Sequence, residues 1–96
     1  MKSSRNQKQV LSFPNTSRSF DGHGRRIRFW AYDSAIEISF FVDLNVLQEY
    51  SPYMLNTEIE ALTIFDAIRD RIHKVATKVY GKGQANKYSY NLGVTD

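Results

Sequence analysis

The chain has 96 residues and a net charge of +3, with 42% hydrophobic and 14% aromatic residues. This length excludes two hydrophobic cores, because each would bury too little surface to offset the conformational entropy lost on folding. The absence of cysteine excludes disulfides, thiolate nucleophiles and cysteine-ligated zinc. We expect a single domain over residues 10–96, preceded at 1–9 by a flexible basic tail that fits neither a signal peptide nor a membrane anchor.

Strands are predicted in the first half of the domain. A short apolar stretch at 9–13 ends at Pro14, and a loop rich in turn-forming residues follows it. Residues 25–32 and 35–42 then alternate with a period of two, which is typical of strands with one buried face. The sequence therefore predicts three strands before any helix.

A two-residue turn at Asp33 and Ser34 would join the second and third strands as a hairpin. The cross-strand pairs on one face would then all be apolar. They are Ala31 with Ile36, Phe29 with Ile38, and Ile27 with Phe40. The pairs on the other face are Trp30 with Glu37, Arg28 with Ser39, and Arg26 with Phe41. A shift of one residue would invert both faces, so this division supports the register.

Two helices are predicted after the hairpin. Asp43 is a suitable N-cap for a short helix that continues to about Tyr50. The main helix begins with the S/T-x-x-E capping box of Thr57 and Glu60 and runs to about Tyr80. Its apolar residues recur at helical spacing and form a stripe that can cover a sheet face. The stripe consists of Leu62, Phe65, Ile68, Ile72, Val75, Ala76 and Val79.

A last strand is predicted at 87–92, where Tyr88, Tyr90 and Leu92 alternate with polar residues. The elements therefore follow the order strand, strand, strand, short helix, long helix, strand. This order favours an α+β, two-layer domain in which an antiparallel sheet of about four strands carries both helices on one face. The sequence does not determine where the last strand joins the sheet.

Four segments of the chain together resemble a known family. They are LSFPNTSRSFD, RRIRFWAYDSAIEISFFV, IFDAIRDRIHKVATKVYGKG and YSYNLGVTD. In this order they are similar to the small bacterial proteins grouped as domain of unknown function 1488, over roughly residues 11–96. The resemblance implies a compact α+β domain in the bacterial cytoplasm, and it brings no activity or active site with it.

No catalytic, cofactor-binding or metal-binding residue is predicted. His23 and His73 are the only side chains that titrate near neutral pH when unperturbed, and they lie about fifty residues apart without a metal-ligand spacing. The segment DGHGRR at 21–26 lacks the length and the Lys-Ser/Thr ending of a phosphate-binding loop, so it is interpreted as a hairpin connection. The sequence therefore favours a protein that is not an enzyme, with no small-molecule substrate or membrane span.

Arg69 lies at the border of the apolar stripe of the main helix. Arginine rarely enters a core without a partner, so we expect its stem to pack along the sheet and its guanidinium to reach an acid or solvent. The alternative is a buried charge network that belongs to a functional pocket.

The helix-free face of the hairpin is the candidate partner-binding surface. Its aromatic and cationic residues are Arg26, Arg28, Trp30, Tyr32 and Phe41. Because Trp, Tyr and Arg are enriched at interface hot spots, the favoured partner is a protein, and a homodimer is its natural form. An interaction or regulatory module is therefore the favoured function.

Three alternatives remain open for this face. Another segment of the chain could cover it, or an arginine could simply stack on the indole of an ordinary surface. In the third, the aromatic rings stack on nucleic-acid bases while Arg25, Arg26, Arg28 and the basic tail neutralise phosphates beside Trp30. The clustering of seven Lys or Arg against one acid in residues 1–28 supports this reading, and the acid Glu37 in the middle of the face counts against it.

Overall fold

In the computed structural model the chain is described over residues 11–14, 18–23, 25–82 and 87–93. The strands are β1 (Leu11–Ser12), β2 (Arg18–Asp21), β3 (Arg26–Asp33), β4 (Ile36–Asp43) and β5 (Ser89–Leu92). The helices are α1 (Leu44–Gln48), α2 (Glu58–Ala67) and α3 (Arg69–Gly81). This is the predicted α+β architecture, and the described residues form five strands rather than about four and three helices rather than two. The predicted tail at 1–9 lies outside the described residues.

The first edge of the sheet is built from two short strands, because β1 and β2 both pair antiparallel with β3. Leu11 lies opposite Asp33, and an uninterrupted strand would bring position 15 opposite Phe29. Arg18 occupies that place instead, so the chain between β1 and β2 holds three extra residues. The sequence predicted a loop where β2 lies. Pairing with β3 outweighs the turn-forming composition there.

The hairpin of β3 and β4 is confirmed, but the predicted turn is one residue too early. Ser34 and Ala35 form the turn, and Asp33 pairs with Ile36. Ser34 adopts the left-handed φ of 57° that a two-residue hairpin turn requires. The sequence has no glycine at this position to indicate the turn. Ile36 is consequently 49% exposed at the end of the hairpin rather than buried opposite Ala31.

Every predicted pair in the hairpin is therefore wrong by two positions along β4. The core-side pairs are Ile27 with Val42, Phe29 with Phe40, and Ala31 with Ile38. The pairs on the opposite side are Arg26 with Asp43, Arg28 with Phe41, Trp30 with Ser39, and Tyr32 with Glu37. Since side chains alternate with a period of two, a shift of two leaves each of them on its predicted face.

The last strand joins the sheet next to β4 and runs parallel to it, so the sheet is mixed rather than wholly antiparallel. A parallel neighbour requires a crossover, which the three helices supply. Tyr90 and Leu92 of β5 are buried in the core, whereas Tyr88, which precedes the strand, is 49% exposed. The sheet order is thus β1 and β2 at one edge, then β3, β4 and β5.

Both predicted helix starts are observed, but only the second has the predicted capping hydrogen bonds. Asp43 is the N-cap of α1, but its side chain makes no capping hydrogen bond. The predicted capping box of α2 is confirmed, because Thr57 Oγ1 accepts from the Glu60 amide at 3.1 Å and Glu60 Oε1 accepts from the Thr57 amide at 3.1 Å. The box satisfies amides that the first helical turn leaves without partners.

The predicted long helix is interrupted. Ile68 separates α2 from α3 and has φ −115° and ψ 21°, outside the helical range. Neither proline nor glycine marks this break. It coincides with Asp66, whose carboxylate accepts two hydrogen bonds from Arg18 of β2, so a contact distant in sequence accompanies the interruption.

The hydrophobic core lies between the helices and one side of the sheet. Phe29 is at its centre, with its ring centroid 5.2 Å from that of Phe40 and 5.3 Å from that of Phe65. The largest fully buried side chains are Phe29, Phe40, Phe65, Ile27, Ile38, Leu47, Ile72 and Val42. The predicted helical stripe is confirmed in the core, with Leu62, Ile68 and Val79 packed at its margin.

Candidate functional site

The side of the sheet that faces away from the helices is called the open face below. All five residues predicted from the sequence as partner-binding lie on it, namely Arg26, Arg28, Trp30, Tyr32 and Phe41. They come together because alternate residues of β3 and β4 share a face. Each of the five is half-buried. The predicted sidedness of the hairpin is therefore confirmed.

Two arginines of β3 stack on two aromatic rings of the open face. Cζ of Arg26 lies 4.0 Å from the ring centroid of Phe41, and Cζ of Arg28 lies 4.7 Å from that of Trp30. Both distances are within the range of cation–π attraction, which is stronger where water is partly excluded. The indole of Trp30 is thus covered on one side by the guanidinium of Arg28.

Each arginine is also held by a carboxylate. Arg28 donates to Glu37 Oε2 at 2.6 Å, and Arg26 donates to Asp21 Oδ2 at 3.2 Å. Arg28 additionally donates to Ser39 Oγ at 3.1 Å. The guanidinium of Arg28 therefore has a fixed position, which reduces the entropy that a bound partner would have to remove.

The margin of the open face is acidic and small. Three carboxylates, those of Asp21, Glu37 and Asp43, stand against the two arginines. The other polar residues of the open face are Ser12, Ser19, Ser89 and Asn91 on the outer strands and Ser39, which lies opposite Trp30 at the centre. A centre of aromatic and arginine side chains inside a small polar margin is the usual anatomy of a protein interface.

Arg25 stands apart from the strands. It lies in the turn between β2 and β3, is exposed, and has φ 51°. Its amide donates to the carbonyl of Gly22 at 3.3 Å. The segment that includes DGHG is thus a hairpin connection, as predicted, and Arg25 adds a cation at the end of the open face where Arg26 lies.

A second charged cluster lies on the helix side of the sheet edge. Arg18 donates to the Asp66 carboxylate at 2.7 and 2.9 Å, and Arg69 donates to the same carboxylate. The hydrogen bond from Arg18, followed by that from Arg69, lowers the pKa of Asp66 against the opposing effect of burial. The expectation that Arg69 reaches an acid is confirmed. The alternative of a buried network is wrong, because the Asp66 side chain is 39% exposed.

Two contacts of α3 with distant residues were not predicted. The His73 ring stacks on Phe13 with centroids 3.9 Å apart and planes at 10°, and burial, followed by the charge of Arg69, lowers the pKa of His73. Tyr80 donates its hydroxyl to Asp33, which raises the pKa of Tyr80 to about 12. No local pattern indicates either contact, because Phe13 and Asp33 are both far from α3 in the sequence.

The described part of the chain offers no metal site of the usual kind, since no three metal-ligating side chains cluster within it. None of the helices in residues 11–14, 18–23, 25–82 and 87–93 is long and apolar enough to cross a membrane.

The fold and the open face together define a small α+β domain with a preorganised aromatic and cationic sheet surface. The chain belongs to the family described as protein of unknown function (DUF1488), whose sequence profile matches residues 11–92. The resemblance noted in the sequence is thereby confirmed. The family description assigns no catalytic role.

A solved structure has the same fold. It is the crystal structure of a protein of unknown function from the DUF1488 family of Shewanella loihica PV-4, and it is 19% identical to this chain with a TM-score of 0.78. The similarity covers 90% of this chain and 94% of that one. No protein of curated function matches the sequence.

Proposed function

We propose that the protein is a non-catalytic interaction module that contacts another protein surface through the open face. The single observation that carries this proposal is the stacked pair of Arg28 and Trp30 at the centre of a half-buried sheet surface. Tryptophan and arginine are the residues that most often dominate binding energy at protein interfaces. A bacterial cytoplasmic setting is part of the proposal, and the Shewanella origin of the similar structure supports the bacterial part of it.

The charge of the open face favours a protein over a nucleic acid. A surface that binds phosphates needs an excess of cations, because affinity comes largely from the release of counterions. Here three carboxylates accompany two arginines, and two of those carboxylates already pair with them. With Arg25 included, the local charges cancel. We therefore do not propose nucleic-acid binding through Arg25, Arg26, Arg28 and Trp30 as a second function. The oligonucleotide titration described below tests it.

A capture experiment tests the proposal. Immobilised wild-type protein and the variant Trp30→Ala would be exposed to extract of the native host, and retained proteins would be identified and then rebound in purified form. We expect a protein that wild type retains and Trp30→Ala loses. Ile59→Ala is the matched control, since Ile59 is a 76% exposed apolar residue on α2, away from the open face.

Retention of the same purified partner by all three proteins would contradict the proposal, because the open face would then be irrelevant to binding. A parallel titration with labelled single- and double-stranded oligonucleotides addresses the alternative. Binding that weakens steeply as the salt concentration rises would show phosphate contacts and would contradict a purely protein-binding face.

A further inference from the structure

We propose that α3 carries a second contact surface, a row of cations that binds an acidic helix of another protein. The row consists of Arg71, Lys74, Lys78 and Lys82 and is called the basic row below. It belongs to the helix layer, whereas the open face lies on the other side of the sheet. The inference therefore does not depend on the proposed function.

The four cations share one side of α3 because of their spacing. Lys74, Lys78 and Lys82 follow one another at intervals of four residues, and Arg71 precedes Lys74 by three. Residues three and four apart are neighbours on a helix surface, so the charges form a single row that ends at the C-cap, Lys82. All four are exposed, whereas the residues of α3 that enter the core lie on another side of the helix.

The lysines of the basic row are available to a partner. In the described part of the chain, none of the three pairs with a carboxylate, because the ion pairs found there all use arginines. Arg71 is partly engaged, since its Cζ lies 5.5 Å from the ring centroid of Tyr50. The three ammonium groups therefore supply most of the charge that a partner would meet.

The stability of α3 itself does not account for the basic row. A cation near the carboxyl end of a helix is favourable because the helix dipole is negative there, and this accounts for Lys78 and Lys82. Arg71 lies in the first turn, where the same dipole opposes a cation, and Lys74 lies in the middle, where the dipole has little effect. The row is thus longer than helix stability requires.

The chemistry of the basic row favours an acidic helix as its partner. Successive lysines are about 6 Å apart along α3, and carboxylates four residues apart on a second helix repeat at the same interval, so they can pair one for one. Nucleic acids are bound through about six to ten phosphate contacts or through aromatic rings, and lipid surfaces through inserted apolar side chains. The exposed residues of α3 and its C-cap provide none of these. They are Asp70, Arg71, Lys74, Lys78, Gly81 and Lys82.

A peptide titration tests the inference. The probe is an alanine-based helical peptide of about 16 residues with three Glu four residues apart, and its control has Gln at the same positions. Added to ¹⁵N-labelled protein up to roughly 1 mM, the Glu peptide should shift the amide signals around Lys78 and leave the Trp30 indole signal in place. The shifts should fade as the salt concentration rises, and the Gln peptide should cause none.

Two charge reversals separate the basic row from the net charge of the protein. Lys78→Glu and Lys87→Glu change that net charge equally, but Lys87 lies outside the row, with its Nζ 4.8 Å from the ring centroid of Tyr90. We expect Lys78→Glu to bind the Glu peptide at least about tenfold more weakly and Lys87→Glu to bind it within about twofold of wild type. A peptide with Lys in place of its middle Glu should restore binding to Lys78→Glu. Far-UV circular dichroism verifies that both variants are folded.

Absence of any shift in α3 at the highest peptide concentration would overturn the inference, and so would equal losses for the two variants or a failure of the Lys-containing peptide to restore binding. A DNA duplex that displaces the Glu peptide from wild type would assign the basic row to phosphates and would overturn the acidic helix as its partner. Duplex binding that Lys78→Glu abolishes belongs to α3 and not to the open face, which the capture experiment tests separately.

Discussion

Phe29 and Trp30 are neighbours in β3 whose side chains lie on opposite sides of the sheet. Truncating each of them to alanine therefore measures how much packing on that side contributes to the free energy of unfolding. Phe29 is fully buried and contacts the rings of Phe40 and Phe65. Trp30 is half-buried, and the guanidinium of Arg28 lies 4.7 Å from its ring centroid. We therefore expect the two alanine substitutions to differ greatly in their cost.

The magnitudes follow from these contacts. Phe29→Ala removes a buried ring and leaves a cavity, so the free energy of unfolding should fall by about 3–5 kcal/mol. Trp30→Ala removes one cation–π contact of about 0.5–1 kcal/mol and cross-strand packing of about 0.2–1 kcal/mol, or about 0.7–2 kcal/mol in all. A domain of this size is stable by roughly 5–14 kcal/mol, so only Phe29→Ala approaches unfolding.

Urea unfolding followed by far-UV circular dichroism measures both values. Fluorescence is unsuitable because Trp30 is the single tryptophan of the chain. Equal losses for the two variants would refute the assigned sides of the sheet, since the indole would then contribute as much as a core residue does.

Substitutions at three further positions test contacts outside the open face. Because burial lowers the pKa of His73 from its ordinary 6.5, the neutral ring is favoured in the folded state, and stability present above about pH 6.5 should be lost as the pH falls below it. Urea titrations at about pH 7.5 and 5.5 measure how much of the free energy of unfolding is lost between the two pH values. This loss should be smaller for His73→Gln than for wild type, and an equal loss would contradict this reasoning. Asp66→Asn should cost about 0.5–1 kcal/mol at low salt, and less at high salt, because Arg18 and Arg69 lose a shared but partly exposed carboxylate. Thermal unfolding at two ionic strengths measures this cost, and a cost that is the same at low and high salt would contradict the role of these ion pairs. Thr57→Ala should cost about 1 kcal/mol and Thr57→Ser much less, because only the hydroxyl caps α2. Equal urea midpoints for these two variants would exclude that role.

The sides of the hairpin could be predicted from the sequence because the physics is local. Apolar residues such as Ile27, Phe29 and Phe40 alternate with polar ones, and a strand sends successive side chains to opposite faces. The capping box of Thr57 and Glu60 is equally local, since its two hydrogen bonds join residues three apart. Local patterns were not always sufficient, because Asp43 is the N-cap of α1 without the predicted side-chain hydrogen bond.

The register, the extra strand and the parallel edge could not be predicted, because long-range pairing decides them. The turn at Ser34 has a positive φ without a glycine to indicate it. The break at Ile68 coincides with the bond from Arg18 to Asp66, whose members are 48 residues apart. β5 lies beside β4 because the intervening helices return the chain to that edge of the sheet. The sequence of β5 itself does not indicate this position.

The membership of the open face was predictable, whereas its internal contacts were only partly so. Arg26 and Phe41 were predicted to be directly opposite, and they do stack, but as diagonal neighbours, since Asp43 is the residue opposite Arg26. The stacking of Arg28 on Trp30 joins residues two apart on one strand. Both contacts depend on side-chain conformations that the period-two pattern does not specify.

The indole N–H of Trp30 provides the most direct test of the open face as a contact surface. Because the chain has one tryptophan, this group gives a single signal in a two-dimensional ¹H–¹⁵N spectrum. As the purified partner retained in the capture experiment is added, the Trp30 indole signal should shift progressively while the amide signal of Ile59 on α2 stays in place. A Trp30 signal that remains fixed while the Ile59 signal moves would contradict the proposal and would place the contact on the helices instead.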